Sequence, residues 1–194
     1  MSVNCLSKAH RSQRGAVCFL FHISHNNKYD VMKGEIKMNF NCFNRCPNAA
    51  ASVVGSDEFP CIRGTVGFYQ TAMGIIVSAE ISGLPVPCGE CSENIFAFHI
   101  HSGDNCSDGG EPFSGAMGHY NPDDCEHPYH AGDLPPLFGN KNGYAYQSFL
   151  TDRFTVDEII GKTVIIHLKS DDFTTQPSGN SGERIACGKI CRLG

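Results

Sequence analysis

Five histidines and one aspartate crowd into a short central stretch of the chain, and a sixth histidine follows further on. Imidazole nitrogen is a ligand for copper, zinc, nickel and Fe(II), and a carboxylate oxygen is acceptable to zinc. Seven such groups are too many for one four-coordinate ion and fit two ions that share a ligand. The candidate ligands are His99, His101, His119, His127, His130, Asp133 and His167.

The first histidine pair must be positioned by a strand. The residues from Ile95 to His101 are typical of one, and side chains two residues apart on a strand project from the same face. His99 and His101 could therefore reach one ion. A long loop, 102–132, rich in Gly, Pro, Asp and Asn, carries most of the other candidates, and bound metal would supply the order that its composition does not.

Short runs with period-two alternation continue along the chain from residue 49 and predict an all-β domain. We expect two hairpins: the first joins 62–70 to 75–81, and the second joins 134–138 to 144–150 across the Asn-Gly turn at 140–143. Residues 154–160 could form one helical turn. Eight short antiparallel strands indicate a sandwich or a closed barrel. They are predicted at 49–54, 62–70, 75–81, 95–101, 134–138, 144–150, 162–168 and 184–190.

Composition excludes some classes of partner. The formal net charge of −5 argues against a generic nucleic-acid or anionic-membrane binder, and no apolar run reaches the roughly 18 residues of a membrane span. The compartment stays open between two alternatives. The lack of a convincing signal peptide favours a cytoplasmic protein, whereas the 11 cysteines favour an extracytoplasmic, oxidising setting.

The first 47 residues differ from the rest, with little alternation and much Asn, Lys and Arg, and we expect a flexible N-terminal extension there. The domain itself is predicted at 48–194. Several cysteines have open assignments. Cys88 and Cys91 could form a redox pair, pair with Cys125 as a second disulfide, or contribute half a zinc site, and Cys125 could staple the loop near His127.

Three motifs, read together, resemble the signatures of copper/zinc superoxide dismutase. They are Gly118-His-Tyr-Asn-Pro122, His130-Ala-Gly-Asp-Leu134 and Gly182-Glu-Arg-Ile-Ala-Cys-Gly188. The resemblance covers about residues 49–190 and is to the bacterial branch of the family. It implies an eight-stranded flattened Greek-key β-barrel, an immunoglobulin-like sandwich with long metal-binding loops. It also implies an oxidoreductase that converts two superoxide anions to O2 and H2O2.

The resemblance further implies a role for each residue that matches a family motif. Copper would be bound by His99, His101, His119 and His167, and zinc by His119, His127, His130 and Asp133. His119 would bridge the two ions and carry the proton for the peroxide. Asp171 would link a copper ligand to a zinc ligand, Arg184 would attract the anionic substrate, and Cys106 and Cys187 would form a disulfide.

Other functions are weighed against this one. A copper/zinc-binding module of the same fold without turnover is the main alternative, and it would be favoured if a copper ligand or Arg184 were missing; neither is. A zinc hydrolase needs an open zinc position, which four zinc ligands do not leave. A structural β-domain with incidental histidines is the least favoured. Family members occur as monomers or dimers, so a homodimer is one of two expected assemblies.

Overall fold

The computed structural model describes residues 46–86, 89 and 94–193. The predicted N-terminal extension lies almost wholly outside these residues, as do Cys88 and Cys91, so those assignments stay predictions. No helix in the described part of the chain is long and apolar enough to cross a membrane.

The described residues form eight β-strands, which confirms the all-β prediction and each predicted strand to within one or two residues. One four-residue helix, α1 (Val156–Ile159), lies inside the predicted helical turn, and a 3-10 turn covers Ser114–Ala116. The strands are β1 (Ala49–Gly55), β2 (Arg63–Thr71), β3 (Gly74–Ser82), β4 (Ile95–His101), β5 (Asp133–Phe138), β6 (Ala145–Thr151), β7 (Thr163–His167) and β8 (Arg184–Arg192).

All eight strands belong to one antiparallel sheet whose order is β5-β4-β7-β8-β1-β2-β3-β6. The sheet curls into a nearly closed barrel, with β5 and β6 at its two ends. The predicted β2–β3 hairpin is confirmed, with a register that runs from Arg63 opposite Ser82 to Thr71 opposite Gly74. Side chains alternate along β3 as expected, with Ile75 and Val77 among those buried.

The prediction of a second hairpin is wrong. The turn is present, because Gly143 N–H donates to the Asn140 carbonyl at 2.9 Å. In the described sheet, however, β5 pairs with β4 and β6 pairs with β3, and no ladder joins β5 to β6. Pro135 and Pro136 lie within β5, and proline has no N–H to donate to a second neighbouring strand. One hydrogen bond, from Gln147 Nε2 on β6 to the Pro135 carbonyl on β5 at 3.0 Å, crosses the opening between these two end strands of the barrel.

Two apolar clusters hold the strands that carry the candidate site. The barrel interior contains, among others, Phe98 and Ile100 of β4. A smaller cluster joins Ile165 and Cys187 to Phe113 and Ala116 of the 102–118 loop. Because β4 and β7 contribute to these clusters, the backbone that presents the histidines is fixed by packing.

Candidate metal centre

Strand register brings the sequence-predicted residues to one place. On β4, His99 lies opposite Asp133 of β5, and His101 forms an isolated bridge with His119. On β7, His167 lies opposite Arg184 of β8. The strands therefore collect ligands that are up to 68 positions apart (His99 to His167) in the sequence.

Two groups of side chains result, and each is compact enough to hold one ion. Within a group, one ligand atom from each residue lies within 4.8 Å of all the others. The side chains of both groups are buried or nearly so. The first group is His99, His101, His119 and His167, and the second is His119, His127, His130 and Asp133.

His119 belongs to both groups and offers each a different ring nitrogen. Its Nδ1 lies 2.7 Å from Asp133 Oδ1 and 3.4 Å from His130 Nδ1, inside the second group. Its Nε2 is buried and has no hydrogen-bond partner among the described residues. The two groups therefore meet on opposite edges of one imidazole ring.

A single carboxylate also joins the two groups from outside. Asp171 Oδ2 lies 2.8 Å from His99 Nε2, and Asp171 Oδ1 lies 2.9 Å from His127 Nε2. A carboxylate that accepts hydrogen bonds from ligand histidines fixes the ring tautomer and orientation. In each of these rings the proton sits on Nε2, so Nδ1 keeps its lone pair.

The same reasoning assigns the tautomers of the other rings in the first group. His101 Nδ1 lies 2.8 Å from the Met117 carbonyl, and His167 Nδ1 lies 3.2 Å from the Gly182 carbonyl. A carbonyl can only accept, so each Nδ1 carries the proton and each neutral ring leaves a lone pair on Nε2. These two Nε2 atoms face each other at 3.4 Å.

Lone pairs that face each other repel unless a cation lies between them. Facing lone pairs within a group of side chains therefore indicate that the group can hold a metal ion. In the first group, the buried His99 Nδ1 has no hydrogen-bond partner in the described part of the chain, like His119 Nε2. In the second, His127 Nδ1 lies 3.0 Å from Asp133 Oδ2 but, within the described residues, makes no hydrogen bond of acceptable geometry. Both donor sets therefore fit a cation: four imidazole nitrogens in the first, and three with one carboxylate in the second.

The titration of the groups agrees with neutral rings and ionised carboxylates. Burial, followed by the neighbouring His99, lowers the pKa of His167 to about 3. Burial, followed by the neighbouring His167, holds the pKa of His101 well below its ordinary value. For Asp133 and Asp171, burial raises the pKa, but hydrogen bonds from His119 and His99 respectively leave it lowered overall.

Arg184 lies at the edge of the first group and is half-buried. Its guanidinium donates from Nη1 to the Phe113 carbonyl at 2.8 Å and from Nη2 to the Met117 carbonyl at 2.6 Å. Both carbonyls belong to the loop that follows β4. The arginine is therefore held in one orientation, and its charge lies close enough to disfavour protonation of His101 and His167.

A disulfide joins Cys106 to Cys187 and ties that loop to β8. It closes a loop of 81 residues, for which the chain-entropy model gives about 4.5 kcal/mol of stabilisation. Cys125, which sequence reasoning allowed as a second staple, is exposed and forms no disulfide with another cysteine of the described residues.

Three residues that sequence reasoning missed also support the site. Arg153 Nη1 donates to the carbonyls of Pro128, His130 and Asp133 at 3.2–3.3 Å. Gln176 forms two bonds with the backbone of His127. Gly179, at φ +68°, packs against Asp171 and His127 where a Cβ would overlap them. These contacts are between distant segments, and only the glycine in a Pro/Gly/Ser loop gave any sequence signal.

Comparisons with known proteins agree with this geometry. The family model described as copper/zinc superoxide dismutase (SODC) matches residues 62–190. The Cu-Zn superoxide dismutase of Deinococcus radiodurans is 33% identical over 151 residues, covering 68% of this chain and 79% of that protein. That of Legionella pneumophila is 33% identical over 138 residues, again covering 68% of this chain and 79% of that protein.

A solved structure shows the same fold at lower sequence identity. The Cu/Zn superoxide dismutase from Brucella abortus superposes with a TM-score of 0.62 at 23% identity, covering 73% of this chain and 98% of that one. Together with the sequence matches, the shared barrel leads to one conclusion. This chain belongs to the copper/zinc superoxide dismutase family.

Proposed function

We propose that the chain is a superoxide dismutase that converts two superoxide anions and two protons to O2 and H2O2. Copper, when bound, supplies the one-electron Cu(II)/Cu(I) couple for this reaction, while zinc keeps one redox state and serves as a structural and electrostatic partner. The copper ligands are His99, His101, His119 and His167. The zinc ligands are His119, His127, His130 and Asp133.

One observation carries the proposal: His119 presents a buried, unpartnered Nε2 to the first group of described residues and Nδ1 to the second. In the proposed cycle, His119 Nε2 takes up one proton between the two half-reactions and passes it to the peroxide product, while water supplies the second proton. Nδ1, on the opposite edge of the ring, would stay in the second group beside Asp133, so the proton moves to and from one defined position.

Arg184 binds and orients the substrate in this proposal. Superoxide is an anion and the chain carries a net charge of −5, so a local positive group must oppose the overall field. The guanidinium is anchored at two carbonyls of the 102–118 loop, which leaves its charge fixed beside the first group. Asp171 has a different task, since it orients His99 and His127 without contacting substrate.

The proposed catalytic domain spans residues 48–194, supported by the family match over 62–190 and by the start of β1 at Ala49. The proposed partner is superoxide alone, with no nucleic acid or membrane, because the acidic net charge disfavours both. A homodimer stays one of the two expected assemblies, and sedimentation equilibrium would distinguish it from a monomer.

The function is tested on the metal-reconstituted full chain by elemental analysis together with superoxide consumption. We expect one copper and one zinc per chain and rapid consumption. His101→Ala should abolish consumption while zinc is retained, because His101 belongs only to the first group. Asp172→Asn, which alters an exposed carboxylate bonded to Thr174 and Thr175, is the matched control. Full metal occupancy without consumption would favour the metal-binding module instead.

A further inference from the structure

We infer that Gln176 is a positioning residue for the zinc group, because its side-chain amide holds the backbone of His127 at both its N–H and its carbonyl. The inference rests on the proposed function in one respect, the assignment of His127 to zinc. It adds a residue that lies outside both groups of candidate ligands.

Two hydrogen bonds join the side chain of Gln176 to the backbone of His127. His127 N–H donates to Gln176 Oε1 at 3.0 Å, and Gln176 Nε2 donates to the His127 carbonyl at 2.7 Å. The two residues are 49 positions apart, so this bridge ties the 170–182 loop to the loop that carries the zinc ligands. Two bonds to one residue fix both the position and the rotation of its backbone, as paired bonds do between antiparallel strands.

The same loop also holds the imidazole ring of His127. Asp171 Oδ1 accepts from His127 Nε2 at 2.9 Å. The Gly179 backbone lies so close to Asp171 and to His127 Nε2 that a Cβ at this position would overlap both. The segment from Asp171 to Gly179 therefore contacts His127 both at its backbone and at the Nε2 side of its ring.

These contacts restrict the imidazole ring of His127 to one orientation. With its backbone held by Gln176 and its Nε2 held by Asp171, the ring must present Nδ1 to the zinc group, 3.0 Å from Asp133 Oδ2. Loss of the Gln176 bonds would leave two half-buried backbone groups without their partners and free the chain to rotate about His127. Because Asp171 also bonds His99 at 2.8 Å, the disturbance would extend toward the copper group.

Two variants separate the bonds from the bulk of the side chain. Gln176→Met keeps the length of the side chain but removes both bonds. Gln176→Glu keeps an acceptor for His127 N–H and loses the donor to its carbonyl. The readout is the rate at which the zinc-loaded full chain releases zinc to a chromophoric chelator. We expect Gln176→Met to release zinc about tenfold faster than the unaltered chain, in line with outer partners of metal ligands. Gln176→Glu should also release zinc faster, because its second carboxylate oxygen would face the His127 carbonyl without a proton to donate.

A spectroscopic readout distinguishes positioning from general loosening. Co2+ loaded in place of zinc reports its coordination through its visible absorption bands, and Gln176→Met should change their position or intensity. The matched control is Gln147→Met, which removes another glutamine-to-carbonyl bond, the 3.0 Å contact with Pro135, at the barrel opening. We expect Gln147→Met to leave both the spectrum and the release rate at their original values.

Three results would overturn the inference. Zinc release from Gln176→Met at the unaltered rate would do so while leaving the proposed function intact. Equal acceleration by Gln147→Met and Gln176→Met, with an unchanged Co2+ spectrum, would show a general loss of stability. Failure of the unaltered chain to hold zinc would remove the proposed zinc assignment and this inference with it. If Gln176→Met does not fold, the rate and spectrum of Gln176→Glu decide between the same outcomes.

Discussion

Arg184 and His101 share one hydrogen-bond acceptor, the carbonyl oxygen of Met117. The guanidinium Nη2 donates to it at 2.6 Å, and His101 Nδ1 lies 2.8 Å from it. The proposed substrate-binding charge and a proposed copper ligand are thus held by the same peptide group. The loop after β4 therefore sets the geometry of both, and the Cys106–Cys187 disulfide secures that loop to β8.

Reversing the charge at residue 184 should slow capture of superoxide without removing the metals. We expect Arg184→Glu to reduce kcat/KM by more than about tenfold at low ionic strength, with a smaller difference at high salt, because salt screens the attraction. Stopped-flow superoxide consumption with metal analysis measures this.

Arg63→Glu is the control for the steering prediction, because it makes the same charge change at an exposed site on β2, a strand that contributes to neither metal group. Arg63→Glu should reduce kcat/KM much less than Arg184→Glu does. Equal effects of the two substitutions at low salt would show that net charge, and not the anchored guanidinium, governs capture.

Removing the charge of Asp171 should weaken both metal sites together. An asparagine side chain has one acceptor oxygen, so Asp171→Asn cannot accept from both His99 and His127 as the carboxylate does. We expect affinity for copper and for zinc to fall by about 10–100-fold each, measured by competition with chelators.

The control for Asp171→Asn is again Asp172→Asn, which removes the neighbouring carboxylate that bonds only threonines in the described loop. Its metal affinities should match those of the unaltered chain. A loss confined to one metal in Asp171→Asn would contradict a carboxylate shared between the groups.

Met117 has a backbone conformation that favours glycine. Its φ of 62° with ψ of −148° is unfavourable for a side chain with a Cβ, and the side chain itself is 62% exposed. Such a conformation costs about 1–3 kcal/mol, against about 0.5–1 kcal/mol of extra chain entropy for glycine. We expect Met117→Gly to raise the free energy of unfolding by about 1 kcal/mol.

Urea denaturation of the metal-free chain measures the Met117→Gly gain. Met73→Gly is the control, since Met73 is an exposed methionine at the β2–β3 turn and is not among the described residues with positive φ. A gain of equal size in Met73→Gly would argue that loss of an exposed apolar side chain, and not relief of backbone strain, is responsible.

The metal-free chain should lose stability as the pH falls below about 6.5. Burial, followed by His99, lowers the pKa of His167 from 6.5 to about 3. Between these values the unfolded chain binds a proton that the folded chain does not, so acid favours unfolding and the full stability is present only above the unfolded pKa. His101 acts in the same direction.

Urea midpoints of the metal-free chain at pH 8, 6.5 and 5 test the pH prediction, and the midpoint should fall mainly between the last two. Asp133 and Asp171 have a pKa lowered from 3.8, so their contribution is lost only below that value and does not affect this range. His167→Gln should flatten the dependence. A midpoint that rises from pH 6.5 to pH 5 would contradict buried neutral rings.

The sequence alone was sufficient for the strands and for the set of candidate ligands. Alternation along segments such as 75–81 reports which face of a strand is buried, and this is a local property. Whether a side chain can bind a metal ion is likewise a property of its residue type. Strand pairing was harder to predict. The Asn140–Gly143 turn forms as predicted, yet β5 pairs with β4 and β6 pairs with β3, and the two prolines of β5 remove N–H donors that a ladder to β6 would need.

Only the tertiary structure decided which atom of each ligand faces which group. The sequence cannot show that His119 offers Nδ1 to one group and Nε2 to the other, because tautomers are set by hydrogen-bond partners far along the chain. Nor could it show that Gln176 bonds to His127, 49 residues away, or that Arg153 bonds to the loop that carries the proposed zinc ligands. Residue types and local periodicity are properties of the sequence itself, whereas hydrogen bonds between distant loops form only after the barrel has brought those loops together.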